Sequence, residues 1–306
     1  MFQMELKQIF PEGKILAADS CPSLSAACHM ADNHYELPRL NCVNYTEKLL
    51  ELCIANGVGM VVPTIDSELP ILAQERQKFA DTGIAIVVSG PSLVRKCRDK
   101  RLTHSFFLEH GVNVPTMSYQ PSVDRLPLFA KPYDGSSSMG LHVLHVAEDL
   151  TPSLTNDRKM IFVDYLSPDE HDEYSIDAYF SIEGQLKCMV PRLRIETRAG
   201  EVSKGRTERP RCLAPLYQTF QHLESARGCL TIQVFVHRET GSVYGIEINP
   251  RFGGGFPLSY HAGANYPRWL IQEYLLGESI EFHDCWEANL TMLRYDEHVL
   301  VRNTAG

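Results

Sequence analysis

The sequence predicts a mixed α/β protein: a parallel three-layer lobe first, then a two-lobed α+β unit built on antiparallel sheets. Three observations carry this. Up to residue 90, short apolar strands alternate with amphipathic helices, the pattern of a parallel sheet with helices on its faces. From residue 160 to 191, strands follow one another with only turns between them, as in an antiparallel meander. Residues 231–236 and 245–250 alternate apolar and polar side chains on either side of Gly241, which reads as a hairpin.

A chain of 306 residues has room for two or three lobes, and 44% hydrophobic with 22% charged residues is a globular composition. The net charge of −9 argues against nucleic acid as a partner. Nine cysteines, an odd number with no C-x-x-C pair, fit free thiols in a reducing cytoplasm. The first ten residues carry Glu5 and Lys7 and lack a basic leader region, so no signal peptide is expected. No apolar run approaches the roughly 20 residues that span a membrane, so no membrane partner is expected either.

Taken in order, residues 1–10 form an amphipathic helix through Phe2, Leu6 and Phe10. A strand at 14–20 follows, then a helix at 45–56 stopped by Gly57. Strand 58–63, helix 68–79 and strand 84–88 complete this lobe. A helix comes before the first strand, so the lobe reads one strand short or truncated at its start. Asp19, Asp66 and Glu68 sit just past strand ends, either as helix caps or as substrate contacts. Residues 94–110 form one helix capped by Gly111, with Lys100 in its middle.

Phe129, Ala130, Lys131 and Pro132 form a strand that runs into the small-residue loop 135–140 and out into a strand at 141–146. Backbone N–H groups of such a loop can wrap a phosphate. The loop is not a P-loop, and a surface turn is the plain alternative. His142 and His145 fall on opposite faces of their strand, which argues against a shared metal. Strands at 160–166, 173–180 and 185–191 follow, and then seven basic residues between Arg192 and Arg211. That basic stretch is either a solvated mobile loop or a cover for an anion.

The stretch 245–251 reads Gly-Ile-Glu-Ile-Asn-Pro-Arg. Ile246 and Ile248 point to one face of a strand, and Glu247, Asn249 and Arg251 to the other. A carboxylate and an amide oxygen are hard ligands that suit Mg²⁺, and an arginine beside them suits phosphate. A hairpin symmetric about residue 240 puts Gln233 opposite Glu247 as a third oxygen ligand. Gly253, Gly254 and Gly255 then make a permissive turn with a ligand or another segment close by. A helix at 267–276 and one or two strands within 288–301 finish the chain.

A strand ending in Lys131, a Gly/Ser hairpin, a strand at 160–166, Glu173, then Gln233 fourteen residues before E-I-N-P-R together resemble the ATP-grasp superfamily. The resemblance points to its carbamoyl-phosphate-synthase-like and carboxylate–amine ligase branch. It implies an N-terminal lobe over 1–92, an ATP-grasp domain over 93–277 with its lid at about 125–165, and strands over 278–306 that complete the sheet. It implies that Lys100 and Lys131 contact nucleotide phosphates. Gly135, Ser136, Ser137, Ser138 and Gly140 belong to the lid over them. The backbone of Val163, Asp164, Tyr165 and Leu166 reads the adenine edge, although Asp164 stands where the family usually has Glu. Glu173 holds the ribose. Gln233, Glu247 and Asn249 hold Mg²⁺ (or Mn²⁺), and Arg251 holds the transferring phosphoryl group with Arg194 and Lys204 nearby.

The activity implied is ATP-dependent, ADP-forming ligation of a carboxylate and an amine, with amino acids as the default substrates and a homodimer as a family-level expectation. A phosphotransferase that stops at the acyl phosphate, and a non-catalytic ATP-binding relative, stay open at this point.

Overall fold

The structure is a computed structural model and describes residues 1–135, 140–198 and 200–302. The chain divides into two compact units. One comprises Met1–Val88, Asn265–Ile280 and the end of the chain from Arg294; the other comprises Ser89–Ala264 and Glu281–Leu293.

The first unit begins with α1 (Phe2–Ile9) and β1 (Leu16–Asp19). It continues through α2 (Ala26–Met30), β2 (Asn33–Glu36), α3 (Tyr45–Ala55), β3 (Met60–Val61), α4 (Leu69–Ala80) and β4 (Ala85–Ile86). Its strands pair in parallel, β1 with β2 and β3 with β4, as two separate ladders. The strand β2 has no sequence signal of its own, because Asn33, His34 and Glu36 are exposed polar residues; pairing with β1 makes it extended. The late helix α10 (Tyr266–Leu275) belongs to this unit, not to the 93–277 segment expected from sequence. It is tied to α1 by Arg268, whose Nη1 lies 2.9 Å from Gln8 Oε1 and 3.5 Å from Glu5 Oε2.

The second unit opens with two helices where the sequence suggested one. Asp99 breaks the run with an extended backbone (φ −104°, ψ 113°), and its carboxylate accepts the Arg101 amide at 2.9 Å. That cap ends α5 (Pro91–Arg98) and starts α6 (Lys100–Glu109), so Lys100 is the first residue of a helix rather than the middle of one. Then come β5 (Met117–Ser118), β6 (Leu128–Pro132), β7 (His142–Leu144), α7 (Pro152–Thr155) and β8 (Met160–Asp164). These strands form an antiparallel sheet in the order β5-β8-β6-β7 over a small core of Leu128, Ala130, Leu144, Met160 and Phe162.

The larger sheet takes β9 (His171–Phe180), β10 (Leu186–Arg198) and β11 (Glu201–Thr207). After α8 (Leu213–Thr219) it adds β12 (Gly228–His237) and β13 (Val243–Asn249); α9 (Phe256–His261) intervenes before the edge strand β14 (Thr291–Leu293). The order is β13-β12-β9-β10-β11-β14, antiparallel throughout. The basic stretch after Pro191 is therefore not a loop: it continues β10 and builds β11.

Strand alternation gives this sheet two different faces. The rear carries Tyr174, Ile176, Ala178, Leu230, Ile232, Val234 and Ile248, all buried. The helix α6 covers it so closely that a Cβ on Gly245 would lie 2.4 Å from the Phe107 ring. The front carries Glu173, Ser175, Asp177, Thr231, Gln233, Glu247 and Asn249. No helix among the described residues is long and apolar enough to cross a membrane.

Candidate functional site

The front face of the large sheet collects Glu173, Arg194, Gln233, Glu247 and Asn249 from the residues singled out in the sequence, and cross-strand register is what brings them together. Gln233 is the direct partner of Glu247, and Thr231 the partner of Asn249. On its other side Gln233 pairs with Ser175 of β9, which places Glu173 two residues along on the same face. A carboxylate and two side-chain amides thus share one patch. Among the described residues no group of three or more His, Cys, Asp or Glu could hold a metal ion. A metal at this patch would be held by the single carboxylate of Glu247 with the amide oxygens of Gln233 and Asn249, a hard-oxygen set that fits Mg²⁺.

Two lysines converge on Glu247 from other elements. Lys100, at the start of α6, places Nζ 3.6 Å from Glu247 Oε2 and donates to the Gly135 carbonyl at 2.6 Å. The break at Asp99 is what aims it there. Lys131, on β6, is buried at 7% exposure. Burial pulls its ammonium down to about 8; Glu247 opposes that shift and Lys100 adds to it.

This has a measurable consequence. An anion bound at Lys131 favours the charged form, so the bound pKa lies above the free value of about 8. Binding then takes up a proton between the two values, and affinity falls as pH rises above about 8, by up to roughly tenfold per pH unit. Calorimetry of ADP binding in EDTA, at pH 7 to 9.5 in buffers of different ionisation enthalpy, should show both effects. Lys131→Arg, charged at every pH, should remove the slope; an unchanged slope in that variant would exclude Lys131 as its source.

Glu173 is paired with Arg194, whose Nε lies 3.0 Å from its Oε1. Burial raises the Glu173 pKa; Arg194 counters this and Glu247 reinforces it. Arg194 also donates to Ser175 Oγ at 3.2 Å and to the Gly200 carbonyl at 3.0 Å, so its guanidinium orders this end of the sheet. Arg251 follows β13 and donates to the Phe252 carbonyl at 2.9 Å.

Lys204 is not brought to this patch. It lies on the face of β11 opposite Gly205 and Thr207, the register partners of Arg194 and Arg192, and its Nζ pairs with Glu196 at 2.7 Å. The expectation of an Arg194–Lys204 pair at the reacting group is thereby corrected: only Arg194 faces the site.

In the smaller sheet, Gly135 and Gly140 both pack against Pro132, and Gly140 takes φ +70°. Ser136, Ser137 and Ser138 lie outside the described residues. Val163 and Asp164 end β8, with Tyr165 and Leu166 just beyond. The Asp164 carboxylate accepts the Thr116 amide at 3.0 Å and pairs with Arg125, so its side chain is committed within the sheet. The Asp164 and Tyr165 amides donate to the carbonyls of Thr116 and Pro127.

Sequence reading missed the residues beneath the site. Asp177 is fully buried and accepts Nε and Nη2 of Arg192 at 2.7 and 2.9 Å. Ser259 donates to the same carboxylate at 2.6 Å, and Thr231 Oγ1 lies 3.2 Å from it. The available signal was periodicity: Asp177 is four residues past Glu173 on one strand, hence on the same face. His171, two residues before Glu173, also shares that face; its buried Nε2 has no hydrogen-bond partner among the described residues.

Comparison with known proteins follows the same outline. Residues 1–87 match the family model described as PylC-like, N-terminal domain. Residues 156–294 match the model described as ATP-grasp in the biosynthetic pathway with Ter operon. Comparison with curated proteins gave no significant match.

Among solved structures, the biotin carboxylase domain of Hydrogenobacter thermophilus 2-oxoglutarate carboxylase, in complex with MgADP, ADP and bicarbonate, superposes with TM-score 0.70. It is 14% identical, over 95% of this chain and 70% of that one. N5-carboxyaminoimidazole synthetase from Staphylococcus aureus superposes with TM-score 0.68 at 16% identity, over 91% of this chain and 74% of that one. L-amino acid ligase from Bacillus licheniformis gives 0.60 at 16% identity, over 80% and 63%. The chain has the ATP-grasp fold.

Proposed function

We propose that the protein is a magnesium- and ATP-dependent ligase that joins a carboxylate to an amine and releases ADP and phosphate. The observation that carries this reading is the cross-strand pair Gln233–Glu247, with Asn249 two residues along and Lys100 and Lys131 converging on the same carboxylate. One carboxylate flanked by amides and lysines suits a polyphosphate with its cation better than it suits a covalent nucleophile.

Glu247, Gln233 and Asn249 would hold Mg²⁺, which would supply neutralisation of the phosphate charge. Lys100 and Lys131 hold phosphate oxygens and offset the charge that builds as a phosphoryl group leaves ADP. Arg251 orients that phosphoryl group. A substrate carboxylate oxygen attacks the γ-phosphorus, the bond to the β-phosphate oxygen breaks, and an acyl phosphate with ADP results. An amine nitrogen then attacks the acyl carbon, the bond to phosphate breaks, and the amine gives up a proton. Glu173, its pKa raised by burial and its carboxyl group held by Arg194, offers hydrogen-bond acceptors to the ribose hydroxyls.

The amino acid ligase and N5-carboxyaminoimidazole synthetase share the fold and are named for forming bonds of this class, which supports the reading. The test is ADP release with MgATP against amino acids, singly and in pairs. ADP that appears only with particular pairs is the expected result and identifies the substrates. ADP that needs a carboxylate but no amine would replace the ligase with a phosphotransferase.

A further inference from the structure

Between Asn249 and α9 the chain crosses the front of the sheet as Pro250 to Gly255, carrying Arg251. It is hydrogen-bonded at its start to a buried network, lies against that network in its middle, and leads into α9, which is bonded to it again. At the start, Thr231 Oγ1 lies 3.2 Å from the Arg251 carbonyl and 3.2 Å from Asp177 Oδ1, and shares its one proton between them. In the middle, a Cβ on Gly253 would come within 2.9 Å of that same hydroxyl, and one on Gly255 within 2.0 Å of Arg192 Nη1. At the far end, Ser259 donates to Asp177 Oδ2 at 2.6 Å. Arg192 itself is 2% exposed and spends its fork on Asp177. Asp177, Arg192, Thr231 and Ser259 are all buried, on the same face of the sheet as the metal patch.

We infer that Asp177, Arg192 and Thr231 are positioning residues that fix the backbone of the Arg251 loop, and through it the place of the Arg251 guanidinium. A planar, bidentate pair suits this because it sets an orientation as well as a distance. Glycines at 253 and 255 are required because the loop lies directly on that pair. The inference rests on the proposed ligase reading for its catalytic consequence but not for its structural one.

Thr231→Val is the informative variant, since it keeps the side-chain shape and the ion pair and removes only the hydroxyl between Asp177 and Arg251. Hydrogen–deuterium exchange of ligand-free protein should rise about tenfold over residues 250–256 in this variant, with the rest of the large sheet unchanged. Steady-state turnover should fall about tenfold or more in kcat with KM for ATP within twofold, the pattern of a misplaced group that acts in the transition state. Thr231→Ser, which retains the hydroxyl, should restore both. Exchange unchanged at 250–256 in Thr231→Val would overturn the inference. Absence of ADP release from the wild type with every substrate would instead overturn the ligase reading, and leave the exchange result to decide the positioning claim by itself.

Discussion

Glu247→Gln should lose ADP formation by about a thousandfold while the protein stays folded. The size of the effect follows from the composition of the patch. Glu247 is its one carboxylate, because Gln233 and Asn249 contribute neutral amides. The substitution preserves volume and an oxygen donor but removes the whole negative charge that a divalent cation would meet. It also leaves Lys100 and Lys131 without the anion between them. The protein should stay folded at somewhat lower stability, since the Lys100 contact at 3.6 Å is part-buried, with side chains 10% and 25% exposed, and Lys131 is 7% exposed, so both ammonium groups lose a countercharge. Circular dichroism and melting would establish the fold, and coupled ADP detection the activity. Turnover within tenfold of wild type would remove Glu247 from the metal site and with it the main support for the ligase reading.

The register behind that prediction was legible in the sequence for a definite reason. Period-two alternation on both strands fixes which faces meet, and a short turn fixes which residues do. Symmetry about residue 240 gave Gln233 opposite Glu247, and the structure has that pair. Near the turn the strands pair one residue differently, Val236 with Val243 and Val234 with Gly245, and the bulge between Gln233 and Val234 takes up that residue and sets Gln233 opposite Glu247 and Thr231 opposite Asn249. The three-glycine turn was legible too, although what passes beneath it is Arg192 and Thr231 of the chain itself.

What escaped was decided at long range. The apolar spacing of 94–110 runs unbroken through Asp99, so periodicity alone shows one helix. The break depends on a side chain turning back onto the Arg101 amide, and it is this break that aims Lys100 at Glu247. The basic run after Pro191 was equally opaque. Charge density does not reveal partners, and the partners of Arg192 and Arg194 are Asp177 and Glu173 on a neighbouring strand. The strand β2 lacks an apolar pattern altogether, since backbone pairing with β1 is what orders it. Lys204 was carried over by position from related ligases, and strand alternation sends it to the other face.

Arg192→Met should be the most destabilising single change in the large sheet. It removes the two charge-assisted bonds, at 2.7 and 2.9 Å, that the Asp177 carboxylate accepts at 0% exposure. Breaking a buried ion pair by removing one partner costs about 3–5 kcal/mol, which for a domain of this size lowers the melting temperature by roughly 10 °C. The loss should come from the buried carboxylate more than from lost packing, and a double variant separates the two. Adding Asp177→Leu to Arg192→Met removes the charge, so melting should recover by more than half although the bonds from Ser259 and Thr231 to Asp177 are lost as well. A double variant no more stable than Arg192→Met would place the cost in the space under Gly255, where a Cβ would already meet the guanidinium at 2.0 Å. Arg192→Met melting within about 2 °C of wild type would mean that solvent reaches Asp177, and that the pair fixes the Arg251 loop without holding the sheet together.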